Sequence, residues 1–307
     1  MADDLEARVR ADGLLAPGRP VVALLSGGAD SVCLTDLAAR VAGPGCVVAL
    51  HVDYGLRDGS ADDARLCAAL CERLGLELVV ERAGPAPEAG NLQAWARELR
   101  YRRADALAAE RGADVAAGHT ASDQAETVLY RLASSPGRRA LLGMEPRSGR
   151  LVRPLLGVTA EQTRAWCAAR GLGYADDPSN AGGRFARGRV RHRLLPALRE
   201  VHPAAEANVV RSAELLRDEA AVLDAVVRAA LRGRDEVSLE RLRALPPALA
   251  RLVVVRLAED AAGRLVPRAG ARTEEILALD PGRPRTALDL GDGVRAVVRG
   301  GVLRFEA

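Results

Sequence analysis

Five apolar residues, Val21 to Leu25, run directly into Ser26-Gly27-Gly28-Ala29-Asp30-Ser31, and helical spacing of Val32, Leu34 and Leu37 begins at once. This order of strand, glycine loop and helix constrains the fold more than any other part of the chain. A short buried strand delivers the backbone, and two glycines let it turn tightly and approach a ligand with no Cβ in the way. The new helix offers free N–H groups and the positive end of its dipole. The loop therefore suits phosphate, and the hydroxyls of Ser26 and Ser31 add donors fit for pyrophosphate. It is not a Walker loop. That pattern, G-x-x-x-x-G-K-[ST], needs a lysine, and the chain has none: all 44 basic side chains are arginine.

Downstream, the pattern alternates. Strands are predicted near 46–52, 76–81, 113–118 and 172–175, between helical stretches at 31–42, 60–74, 91–111, 121–133 and 159–170, with a further helix over 1–15. Strand alternating with helix implies right-handed crossovers, hence an α/β fold with a doubly wound, mostly parallel sheet. Ligands then belong at the carboxyl ends of the strands, where Ser26, His51 and His119 fall. The texture changes at Pro203. Residues 204–231 and 238–261 are apolar at helical spacing, while 286–290, 294–298 and 302–306 alternate as a three-stranded meander. We expect a catalytic domain over 1–203 and a helical region ending in a small β-meander over 204–307.

A chain of 307 residues can bury a large core without disulfides. Its five cysteines form no C-x-x-C pair and read as buried thiols, and no apolar run approaches the length that spans a bilayer. The expectation is a reduced, cytoplasmic protein with no membrane partner. A net charge of +3 does not by itself announce nucleic acid, but the arginines are unevenly placed. Six lie between Arg131 and Arg153 against the single acid Glu145, and Arg184, Arg187, Arg189, Arg191 and Arg193 follow one another with no acid between. With aromatics at 3% of residues, an RNA would be held by its backbone and shape rather than by stacking.

His119, Asp123 and Glu126 follow a predicted strand and open a helix at spacing 0, 4 and 7, which puts all three on one face at the mouth of the sheet. An imidazole and two carboxylates there suit a Mg²⁺ ion shared with phosphate, or a cationic substrate. A helix spanning Arg187 to Arg193 would turn Arg187 and Arg191 to one side and Arg189 and Arg193 to the other.

S-G-G-x-D-S resembles the PP-loop of the N-type ATP pyrophosphatases. Taken with six further segments, the chain resembles the tRNA(Ile)-lysidine synthetase family. His51-Val52-Asp53-Tyr54-Gly55-Leu56-Arg57 is similar to its H-x-[ND]-H-x-L-R, Ala96 to Tyr101 to its A-R-x-x-R-Y, and His119 to Thr127 to its H-x-x-x-D-Q-x-E-T. Arg153 to Leu156, Asp177 to Asn180 and Arg187 to Pro196 resemble its R-P-L-L, D-x-S-N and R-N-x-[IVL]-R-x-x-L-L-P. Tyr54 stands where the family usually has a second histidine, and Gly188 where asparagine is usual.

The resemblance implies a reaction. ATP adenylates the C2 oxygen of the wobble cytidine in the isoleucine tRNA with a CAU anticodon, pyrophosphate leaves, and the ε-amine of free lysine displaces AMP. It implies that Ser26, Gly27, Gly28, Ala29, Asp30 and Ser31 cradle ATP, with His51 and Arg191 as further nucleotide contacts, and that Asp30 and Asp123 meet Mg²⁺. Asp30, Arg100, His119, Asp123 and Glu126 would be the catalytic groups, the carboxylates also holding the lysine ammonium. Arg187, Arg189 and Arg193 would hold the tRNA. Two other readings compete: another PP-loop tRNA-modifying enzyme, such as a thiolase, and a nucleotide- or RNA-binding protein without turnover.

Overall fold

The computed structural model describes residues 2–55, 60–87, 91–135, 137–175 and 186–307, which form two compact units, Met1–Leu216 and Arg217–Ala307. In the first, α1 (Ala2–Ala11) precedes β1 (Val21–Leu24), α2 (Ala29–Ala42), β2 (Val47–Asp53), α3 (Ser60–Leu74), β3 (Glu77–Arg82), α4 (Leu92–Arg111) and β4 (Asp114–Ala116). Then come α5 (Ala121–Ser134), α6 (Arg138–Leu141), β5 (Arg147–Ser148), β6 (Leu151–Val152), α7 (Ala160–Ala169), α8 (Ala186–Arg189), a π-helical turn over Val190–Leu194 and α9 (Leu195–Val201). The sheet runs β3-β2-β1-β4-β6-β5, parallel except for β5.

Strand alternation builds both cores. Val21, Ala23 and Leu25 join Leu34, Leu37, Trp166 and Cys167 on one face of the sheet, while Val22 and Leu24 join Leu50, Leu99, Ala104 and Val115 on the other. Every residue of β1 and β4 is buried, as a strand covered on both faces requires. Chain order reverses between β1 and β4, so the crevice above their carboxyl ends is where a doubly wound sheet takes its ligand.

Two expectations need correction. Residues 172–175 form no strand; the Ala175 N–H donates instead to Gly27 O at 2.9 Å, so the segment braces the glycine loop. Its place in the sheet is taken by β6, only two residues long, which pairs with β4. The three-stranded meander also gains a partner. In the second unit β8 (Thr286–Gly291), β9 (Val294–Arg299) and β10 (Val302–Glu306) are joined by β7 (Val237–Ser238), antiparallel to β10.

The helix α10 (Ala205–Leu231) begins beside Pro203, and the two units divide within it; its residues 221–226 are exposed on every side. The helical stretch expected over 238–261 is broken at Pro246 and Pro247 into α11 (Leu239–Arg243) and α12 (Pro247–Ala262), followed by α13 (Pro267–Ala271) and α14 (Thr273–Leu277). A separate core of Leu239, Leu242, Val254, Leu257, Ile276 and Leu303 fills this unit. Among the described residues no helix is long and apolar enough to cross a membrane.

Candidate active site

The glycine loop is built to leave donors open. Ser31 Oγ donates to Gly28 O at 2.9 Å and accepts from Ser26 N at 3.1 Å, folding the loop over its own helix. Gly27 sits at φ +91°, a conformation that asks for glycine. Gly28 caps α2 without a side-chain bond, so the first N–H groups of that 14-residue helix face the loop. A Cβ on Gly28 would meet only Ser26 Oγ, at 3.8 Å, whereas one on Gly118 would lie 3.0 Å from Asp30 O. The β4–α5 turn is therefore pressed against the loop backbone.

Two buried side chains hold the loop from beneath. His51, 4% exposed, brings Nδ1 within 2.9 Å of Leu25 O and 3.4 Å of Cys67 Sγ. A carbonyl only accepts, so Nδ1 carries the hydrogen. The imidazole thereby ties the end of β1 to β2. On the other side Thr163 of α7, fully buried, donates through Oγ1 to Asp30 Oδ1 at 2.5 Å. The same helix meets α2 again, where Trp166 Nε1 donates to Asp36 Oδ2 at 2.9 Å and Arg170 stacks on the indole at 4.2 Å. Burial pushes the Asp30 carboxyl up, Thr163 opposes that, and the charge of Asp123 reinforces it.

At the end of β4, Thr120 caps α5 in a capping box: Asp123 Oδ2 accepts from Thr120 N at 2.9 Å. Capping occupies one carboxylate oxygen and leaves Oδ1 for Arg191, whose Nη2 stands 3.3 Å away. Arg191 Nε donates to Glu126 Oε1 at 2.5 Å and Nη2 to Oε2 at 3.2 Å. Glu126 is buried, not at the surface as its motif alone suggests, and burial pushes its carboxyl up against the downward pull of Arg191. The guanidinium arrives on the π-helical turn; such turns recur at functional sites.

His119 lies between opposite charges. Burial drives its pKa down to about 4, Asp123 opposing and Arg153, Arg97 and Arg100 adding to the depression, so the ring is neutral at pH 7. Arg100 stands over the Tyr101 ring at 5.5 Å, and Arg187 over Tyr130 at 6.0 Å on the α5 side; Arg187, Arg189 and Arg193 are all exposed. Leu56, Arg57, Asp177 to Asn180 and Arg184 lie outside the described residues.

Residues 6–198 match the family model described as a PP-loop domain. A tRNA(Ile)-lysidine synthase of Salinispora tropica is 39% identical over 304 residues, covering 94% of this chain and 90% of its own. That of Methylobacterium nodulans is 39% identical and covers 96% and 91%. The chain belongs to the tRNA(Ile)-lysidine synthase family. Against the lysidine synthase of Thermus thermophilus, 40% identical, it spans 57% of the relative's length. A U34-tRNA thiolase of Methanococcus maripaludis, 19% identical with a TM-score of 0.59, covers 70% of this chain and 78% of its own and shares the fold.

The donor set at this crevice offers places for a triphosphate and for a divalent metal. The open α2 terminus and the bare Gly28 fit a triphosphate. Among the described residues no three His, Cys, Asp or Glu side chains cluster as a protein-only metal site, but the hard oxygens of Asp30 and Asp123 fit Mg²⁺ shared with phosphate. Tyr54, in place of the usual histidine, donates to Ala96 O at 3.0 Å and packs edge-on against Trp95, which makes it a brace for α4. Sequence reasoning missed Thr163 and Arg97. Thr163 is 133 positions from its partner, and nothing in the spacing of its helix marks it.

Proposed function

We propose that this protein ligates free L-lysine to C2 of the wobble cytidine in the CAU-anticodon isoleucine tRNA, using ATP. The observation that carries this is the meeting, in a lysidine synthase family chain, of a phosphate loop with a carboxylate pair that already holds a cation. Ser26 to Ser31 bind the β- and γ-phosphates, and Mg²⁺ held by Asp30 and Asp123 supplies charge neutralisation there. Arg100 and Arg191, planar and always charged, stabilise the α-phosphate as charge gathers on it. The cytidine O2 displaces pyrophosphate, and the lysine nitrogen then attacks C2 with AMP leaving.

An ammonium near pKa 10.4 is inert until it loses a proton. Asp123 and Glu126 first bind the ammonium in place of Arg191, then accept its proton. Burial holds the Glu126 carboxyl above its ordinary value, which suits it to accept that proton.

The test is mass spectrometry of the wobble cytidine after incubating the protein with ATP, lysine and the tRNA. A lysyl increment and tRNA-dependent pyrophosphate release are expected. Asp123→Asn and Glu126→Gln should each lower the rate more than about tenfold, a loss above about 1.4 kcal/mol. Unmodified cytidine with a sulfur increment elsewhere in the loop would select the thiolase reading, and nucleotide binding without any turnover would select the non-catalytic one.

A further inference from the structure

Four buried polar atoms, on α4 and on the segments that follow β4 and β6, meet no partner among the described residues: Arg100 Nε, Tyr101 Oη, His119 Nδ1 and Arg153 Nε. A buried polar group left unpaired is costly, so a cluster of them calls for a ligand. They share one neighbourhood. The guanidinium groups of Arg97 and Arg100 lie over the same Tyr101 ring, at 4.8 and 5.5 Å. Arg131 of α5 and Arg153, just beyond β6, reach one short segment from two sides: Arg131 Nη1 donates to Gly143 O at 2.5 Å, and Arg153 Nη1 to Glu145 O at 2.6 Å.

That segment is itself clamped. The fully buried Gln124 donates through Nε2 to Met144 O at 2.9 Å and accepts from Met144 N at 2.6 Å. Arg131 and Arg153 are thus held by neutral carbonyls, which fix their direction and leave their charge to something else. Burial and the neighbouring Arg97 depress both guanidinium pKa values, the mark of cations crowded together.

We propose that Arg97, Arg131 and Arg153, with Tyr101 and His119 at its edge, form a second anion site that holds an RNA backbone phosphodiester beside the nucleotide being modified. This rests on the RNA substrate proposed above. Planar guanidinium groups and a phenol suit the delocalised oxygens of a phosphate. The triphosphate of ATP is the other source of that chemistry, but the glycine loop and the terminus of α2 already offer it a separate set of donors.

Arg97→Gln and Arg131→Gln would be tested by filter binding of an anticodon stem-loop RNA across a salt series, and by equilibrium dialysis with ATP. Each variant should weaken RNA binding about tenfold, or 1.4 kcal/mol, and flatten the slope of log K against log salt by about 0.7 to 0.9. ATP affinity should hold. Arg97→Lys, which keeps the charge, should restore the slope and so separates lost charge from lost fold. In a stem-loop carrying a neutral methylphosphonate next to the target cytidine, wild type and Arg97→Gln should bind alike. An unchanged salt slope in both variants overturns the proposal. So does a fall in ATP affinity with RNA binding intact, which would assign the cluster to the triphosphate. Wild-type protein that binds RNA with the expected slope yet forms no lysidine would sink the proposed function and leave this site standing.

Discussion

Two glycines near the loop serve different ends, and the same substitution separates them. Gly28→Ala adds a methyl group that touches only Ser26 Oγ at an ordinary 3.8 Å, with φ at −74°, so the fold should be unaffected. ATP affinity should still fall, because that methyl group stands where phosphate must approach. Gly118→Ala meets the Asp30 carbonyl at 3.0 Å, backbone that cannot swing aside, and should cost about 1–3 kcal/mol in denaturant melts. The reverse pattern would show that the two roles have been exchanged. His119 gives a pH signature. Its folded pKa of about 4 lies below the ordinary 6.5, so the unfolded chain takes up the proton first. The stability it contributes is complete above pH 6.5 and is lost as pH falls from there toward 4. Urea midpoints of His119→Asn against wild type should converge across that window; parallel curves would mean the ring is not held neutral.

At the scale of elements, α7 packs along α2 and reaches its first turn through Thr163. If the Thr163 hydroxyl positions Asp30, Thr163→Val should slow pyrophosphate release about tenfold, since a hydrogen bond to a charged group contributes roughly 1.5–3 kcal/mol. Thr163→Ser should recover most of the rate. Equal rates in wild type and Thr163→Val would leave α7 a packing element only. Such a contact is invisible in sequence, whereas β1, the loop and α2 were legible because an unbroken apolar run, two glycines and apolar residues at helical spacing follow one another without a gap. The strand β6 was not legible, since two residues carry no period. The run at 172–175 had the composition of a strand but gives its backbone N–H to Gly27. His119, Asp123 and Glu126 were legible as a set from their spacing. That Glu126 is buried under Arg191 was not, because the arginine comes from 65 residues away.

For the whole molecule, charge is arranged by direction. Arg187 and Arg191 turn toward α5, while Arg189 and Arg193 face solvent on the same short stretch of chain. The double variant Arg189→Gln with Arg193→Gln should flatten the salt slope of tRNA binding by about 1 to 2 units and leave ATP affinity unchanged. A slope equal to that of wild type would make these two side chains ordinary surface charges. The long helix α10 has a consequence of its own. Along 221–226 every residue is exposed, so the amides there are kept from water by their own helical hydrogen bonds and by little else. A proton there trades with solvent after an opening of a turn or two, far short of global unfolding, while Val254 or Leu303 in the adjoining core must wait for the larger event. In deuterium uptake this stretch of the helix would therefore label early, a turn beyond the division at Leu216 and Arg217.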